Sequence, residues 1–123
     1  MDLAGLRAFI VEDEALLLMT LEDMLADLGL RVVVSAQHVD EALRLAPHAE
    51  VDVALLDVNV GGRRIDPVAE VLAARRIPIL FVSGYEQASL PRGHAAARLA
   101  KPFQLDDLGA ALGRLLGRPG SVR

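Results

Sequence analysis

Glu12, Asp13, Asp57, Ser83 and Lys101 are the residues of this chain whose types and placement can do chemistry. Lys101 is the single lysine beside twelve arginines, and Pro102 follows it directly. Arginine presents a broad planar fork, whereas lysine is a compact charge on a flexible stem that reaches into a narrow anionic pocket. The chemistry sits behind short, largely apolar runs. Leu6–Val11 leads into Glu12-Asp13, Val51–Leu56 into Asp57, Ile77–Val82 into Ser83, and Ala97–Ala100 into Lys101. If these runs are strands of an open parallel sheet, the groups following them share one rim, because ligands bind outside the carboxyl ends of such strands. Clustered carboxylates repel one another, raising some pKa values unless a cation compensates. Oxygen donors without cysteine or histidine suit a hard ion, and Mg2+ takes one or two carboxylates while keeping several waters. A carboxylate nucleophile, a divalent ion, a lysine and a hydroxyl make a site for a transferring phosphoryl group. The cations neutralise its equatorial oxygens and the hydroxyl donates to one of them. Asp57, alone at the end of a central apolar run, is the nucleophile in this reading.

Each member also has a purely architectural role open to it. Glu12-Asp13 can cap the helix that follows, Ser83 before Gly84 suits a turn, and Asp57 can open a turn with Gly61-Gly62. The conjunction is far more specific than its members, since all of them fall at strand ends.

Those strands must be held by helices. The runs are short and rich in β-branched residues, Arg31–Val34 among them, as expected of strands buried on both faces. Leu17, Leu21, Met24, Leu25 and Leu28 form a helical stripe, and Gly29 stands where a C-terminal cap belongs. A second helix spans Val39–Leu45 and ends before Pro47. A third opens with Asp66 as N-cap and Pro67 at the first helical position, and runs to Arg75. The last carries Leu105, Leu108, Leu112, Leu115 and Leu116, with Asp106 and Asp107 in its first turn, where the helix dipole favours acids. Between Ser83 and His94, Pro91 and Gly93 disfavour a regular helix, so the fourth crossover is expected to be one short turn or irregular. The alternation implies an α/β fold, a doubly wound five-stranded parallel sheet with helices on both faces.

At 123 residues and 53% hydrophobic, with mean hydropathy +0.36, the chain is expected to be one folded domain, residues 117–123 forming a frayed tail. No output domain, signal peptide or membrane span is read. The absence of cysteine fits a reducing, cytoplasmic setting and excludes thiolate metal sites, while His38, His48 and His94 have no metal-ligand spacing. A net charge of −4 argues against a nucleic-acid partner, and the pairs Arg63-Arg64 and Arg75-Arg76 read as solvated helix ends.

Together the residues resemble the receiver domain of two-component response regulators, and the likeness covers nearly the whole chain. Its marks are the acidic pair Glu12-Asp13, Asp57 at the end of VDVALLD, Ser83, and Lys101-Pro102-Phe103. The resemblance implies the flavodoxin-like receiver fold, with Asp57 as phosphoacceptor. It implies Mg2+ held by Glu12, Asp13, Asp57 and the backbone carbonyl of Asn59, phosphoryl oxygens held by Ser83 and Lys101, and a cis Lys101–Pro102 bond. The implied partners are a histidine kinase or phosphotransfer protein and a downstream protein, the chain acting as a stand-alone regulator or phosphate sink rather than an enzyme. Phe81-Val82-Ser83-Gly84-Tyr85 is similar to the FATGUY subgroup of stand-alone receivers, common in alphaproteobacteria and often paired with HWE-type kinases, with Val82-Ser83 in place of Ala-Thr. Arg98 departs from the family, many of whose members have a switch aromatic three residues before the lysine; Tyr85 or its loop is a candidate substitute. A phosphohydrolase with an aspartyl nucleophile would carry a second Asp where this chain has Asn59. A further possibility is a phosphorylation-independent adaptor that binds through the last strand and helix, where Gly109, Gly113 and Gly117 recur every four residues.

Overall fold

The computed structural model describes residues 3–84 and 97–118. The expected fourth crossover, with Tyr85 and His94, lies outside the described residues, as does the tail beyond Arg118. The chain runs β1 (Arg7–Val11), α1 (Ala15–Asp27), β2 (Arg31–Ala36), α2 (Val39–Leu45), β3 (Val53–Asp57), β4 (Asn59–Val60), β5 (Arg63–Arg64), α3 (Asp66–Ala74), β6 (Ile79–Ser83), β7 (Ala97–Ala100) and α4 (Leu105–Leu116). Five strands form one parallel sheet in the order β2-β1-β3-β6-β7. The chain steps out to β2 and returns past β1 to β3, so the winding reverses at the β1/β3 boundary, where such sheets open a crevice. This is the doubly wound arrangement that the alternation of patterns implies.

Side-chain alternation sorts the core into two layers. Phe9, Val11, Ala54, Leu56, Ile79 and Phe81 pack with α2 and α3 on one face. Ala8, Ile10, Val53, Leu55, Leu80 and Leu99 pack with α1 and α4 on the other. Every residue of β3 and β6 is buried, which is why both read as unbroken apolar runs. Ladder register then aligns the strand ends: Val11 is opposite Leu56, Asp57 opposite Val82, and Ser83 opposite Ala100.

The helix boundaries follow local chemistry. Gly29, at φ +96°, lies just past the end of α1, and its Cα hydrogens face Ala4, where a Cβ would come within 3.0 Å of the Ala4 Cα. Asp66 is the first residue of α3 and not its cap, which is Ile65; its carboxylate instead takes the Arg64 guanidinium at 2.9 Å. Arg75 and Arg76 do close a helix, Arg76 in the left-handed region at φ 61° and Arg75 donating to the Ala46 carbonyl at 2.6 Å. Arg63 and Arg64 do not. They form β5 of a small antiparallel hairpin, because Gly61 (φ 59°) and Gly62 (φ 80°) make a two-residue turn with both residues in the left-handed region.

Burial predicts which leucines of α1 matter. Leu25 is fully buried, whereas Leu16 is 80% exposed. Leu25→Ala is expected to cost about 2–5 kcal/mol in urea unfolding, and Leu16→Ala less than about 0.5 kcal/mol; similar losses at both positions would contradict this packing.

Candidate functional site

Glu12 follows the last residue of β1, Asp57 ends β3, Ser83 ends β6 and Lys101 follows β7, so the rim drawn from the sequence is present. Glu12 and Asp57 continue the alternation that points Ile10 and Leu55 to the α1/α4 face, and Lys101 continues that of Leu99. Lys101 Nζ lies 3.0 Å from Asp57 Oδ2 and 3.3 Å from Glu12 Oε1. The contact to Asp57 is a hydrogen bond. That to Glu12 pairs the charges without hydrogen-bond alignment, leaving Glu12 Oε1 a buried oxygen with no hydrogen-bond donor. The Lys101–Pro102 peptide bond is cis.

The backbone around the cluster is spoken for. Glu12 Oε2 accepts the Glu14 N–H (3.1 Å) at the entrance to α1, so the helix-capping role is partly real. Asp13 turns away from the helix and accepts the Gly61 N–H at 2.9 Å. Asp57 Oδ1 accepts the Asn59 N–H at 3.2 Å, a side-chain turn of the kind Asp favours. Asn59 faces Arg64 across the hairpin, while the next pair outward, Val58–Ile65, exchanges a ladder hydrogen bond of 2.9 Å. In an antiparallel pair hydrogen-bonded and open positions alternate, so the backbone groups of Asn59 point away from β5, and its N–H meets Asp57. The Gly61-Gly62 turn is present, and its bond to Asp13 is the part of the site that residue chemistry did not reveal. Its signal is the two-glycine hairpin dipeptide between Val60 and Arg63.

Carboxylate oxygens of Glu12, Asp13 and Asp57 all lie within 4.8 Å of one another, with Glu12 and Asp57 buried and Asp13 exposed. Burial pushes the Glu12 carboxyl up to about 7, and the charge of Asp57 adds to the rise; the Glu14 N–H and Lys101 oppose it without cancelling it. Burial acts on Asp13 in the same direction, but hydrogen bonds, that of Gly61 first, outweigh it and hold this carboxyl below its ordinary value. Burial would lower the Lys101 pKa, yet the hydrogen bond and charge of Asp57, with the charge of Glu12, hold the ammonium above its ordinary value. The donor set fits a hard divalent cation: all ligand atoms are oxygens, and the orphaned Glu12 Oε1 lacks the partner such an ion would supply. Ser83, almost fully buried, accepts a hydrogen bond on Oγ from Arg98 Nε (3.1 Å), and its carbonyl accepts the Lys101 N–H (2.8 Å).

The comparisons agree with this architecture. The sequence model of the response regulator receiver domain matches residues 8–113, and the chain belongs to that family, a signalling domain of two-component systems. It is 36% identical over 107 residues to the transcriptional regulatory protein PdtaR of Mycobacterium tuberculosis, covering 83% of this chain but only about half (52%) of PdtaR. Among solved structures, SdrG from Sphingomonas melonis Fr1 is 41% identical with a TM-score of 0.80, the match covering 94% of this chain and 99% of that one. The receiver domain of the sensor histidine kinase PA1611 from Pseudomonas aeruginosa PAO1 is 27% identical with a TM-score of 0.77, covering 93% of this chain and 99% of that one. That structure holds a magnesium ion coordinated in its active-site cleft.

The raised Glu12 pKa has a consequence for stability without metal. Between its ordinary value of 4.5 and about 7, the folded protein retains a proton that the unfolded chain has released. Ionised Glu12 therefore destabilises the fold increasingly as pH rises through that window, and fully above it. With chelator present, Glu12→Gln is expected to match the wild type near pH 4.5 and to exceed it at pH 7.5 by about 1–3 kcal/mol. A wild-type-to-variant difference that is flat with pH in chemical denaturation would refute the assignment.

Proposed function

We propose that this receiver is a Mg2+-dependent phosphoacceptor, modified on Asp57 by the phosphohistidine of a histidine kinase or phosphotransfer protein. The observation that carries the reading is the Lys101 ammonium lying 3.0 Å from Asp57 Oδ2 beside the orphaned Glu12 Oε1. A carboxylate oxygen of Asp57 attacks phosphorus as the N–P bond of the donor breaks, giving an acyl phosphate and a free imidazole. Lys101 follows the charge, exchanging part of its bond to Asp57 for a phosphoryl oxygen, and the Ser83 hydroxyl donates to another. Asp57 Oδ1 stays oriented by the Asn59 N–H during the attack. Glu12, Asp13, Asp57 and the outward-facing carbonyl of Asn59 would hold the ion, which when bound adds positive charge against the transferring phosphoryl oxygens. Water later attacks the acyl phosphate and releases inorganic phosphate, resetting the carboxylate.

In this reading the protein acts in the cytoplasm, as its cysteine-free sequence allows, and passes its signal by protein contact or serves as a phosphate sink. The match over 99% of the solved SdrG chain supports a receiver domain that is alike along its whole length. The Phe81–Gly84 stretch supports a place in the FATGUY subgroup. The glycine repeat of the last helix no longer suggests an adaptor face: Gly109 and Gly113 are buried, and Gly117 is the left-handed cap of α4 at φ 65°.

Incubation with Mg2+ and a small-molecule phosphodonor is expected to add one phosphoryl mass in intact-protein mass spectrometry. Asp57→Asn is expected to gain none, and chelation to abolish the adduct in the wild type. An adduct that persists in Asp57→Asn would place the chemistry elsewhere.

A further inference from the structure

We propose that Gly61 is a positioning residue for the cation site, acting through the carboxylate of Asp13; the inference rests on the Mg2+-dependent reading above. Each of the three clustered carboxylates accepts a backbone N–H. Glu14 donates to Glu12 and Asn59 to Asp57, each from two residues further along the chain. Asp13 instead takes the N–H of Gly61, 48 residues away, at 2.9 Å. Asp13 is also the exposed member of the cluster, while Glu12 and Asp57 are buried. An exposed side chain keeps rotamer freedom that binding an ion must remove. The bond from Gly61 removes part of that freedom in advance, which is how preorganisation raises affinity.

The turn is built to deliver this N–H. Val60 faces Arg63 in the hairpin ladder and is buried in the α2/α3 layer, and the Ile65 N–H donates to the Val58 carbonyl at 2.9 Å. These contacts fix the base of the hairpin. Across a trans peptide the N–H points opposite to the carbonyl, so with the Val60 carbonyl toward β5 the Gly61 N–H leaves on the outer edge. The Asn59 N–H leaves on that edge two residues earlier and meets Asp57. One short edge therefore holds Asp57, which ends β3, and Asp13, which follows β1. Gly61 keeps its direction through a left-handed backbone, φ 59° followed by 80° at Gly62. A Cβ at Gly61 would meet nothing within 4 Å, so the position demands that backbone and not empty space.

Mg2+ titrations read by calorimetry and by amide NMR test this without any phosphorylation. Gly61→Val places a β-branched residue in the left-handed region, which it strongly disfavours. It is expected to raise the Mg2+ Kd about three- to tenfold, the scale of one hydrogen bond. Gly61→Asn, which tolerates that region, should bind Mg2+ as the wild type does. With chelator present, the Gly61 amide should exchange slowly with water, and faster in Asp13→Ala. The Asn59 amide should keep its wild-type signal in Gly61→Val, which assigns the loss to Asp13 and not to collapse of the hairpin. A Gly61→Asn Kd as weak as that of Gly61→Val, a Gly61 amide indifferent to Asp13→Ala, or an Asn59 signal lost together with the affinity would each overturn the proposal. If the wild type binds Mg2+ and Gly61→Val binds it equally well, this role alone falls. A wild type that binds no Mg2+ overturns the Mg2+-dependent reading and, with it, this role for Gly61.

Discussion

Two carboxylates are buried against a single ammonium at the carboxyl ends of the central strands, and the remaining structure is arranged around that imbalance. The Glu12 carboxyl is buried beside that of Asp57, and Lys101 alone does not offset the cost of charging it. The shortfall shows in Glu12, which keeps a proton to nearly neutral pH and leaves one oxygen without a donor. A site short of positive charge in the protein alone is well disposed toward a divalent cation, which would meet the same few oxygens.

The fold meets this constraint by spreading the charges over separate elements. Asp13 is stabilised by the hairpin turn at Gly61, Asp57 by the backbone of Asn59, and Lys101 is placed by its backbone bond to Ser83. None of these supports comes from the residue's own neighbours on its strand. A small antiparallel hairpin after β3 thus performs two functions at once: it holds one carboxylate through a glycine N–H and turns the Asn59 backbone toward another. The two glycines are required there because both turn residues lie in the left-handed region.

Arg98 extends the same logic to the opposite sheet face. Ser83 and Lys101 approach the site from strands β6 and β7, and each is fixed by a group of the other strand: Lys101 by the Ser83 carbonyl, Ser83 Oγ by the Arg98 side chain. The edge pair of the sheet is therefore more than a boundary of the core. It ties the end of β6 to the residue after β7 through the Ser83 carbonyl, and to Arg98 through the Ser83 hydroxyl.

Much of the fold was legible because apolar periodicity is a local property. The β3 and β6 runs, the α2 limits and the cap at Gly29 follow from spacing, proline and glycine, which act within a few residues. That Glu12, Asp13, Asp57 and Lys101 meet at one rim was also readable, since every parallel strand delivers its last residues there. The sequence alone did not reveal that Arg63-Arg64 forms a strand, that Asp66 pairs with Arg64 and leaves the cap to Ile65, or that Gly61 binds Asp13. The Gly61–Asp13 bond depends on segments 48 residues apart meeting after the chain has folded, while the hairpin and the Arg64–Asp66 pair are local choices that hydrophobic spacing does not decide. The sequence by itself determined which chemical groups reach the rim. Only the tertiary structure decided their protonation, their partners and their orientation, because burial and hydrogen bonding are set by the packed neighbours and not by position in the chain.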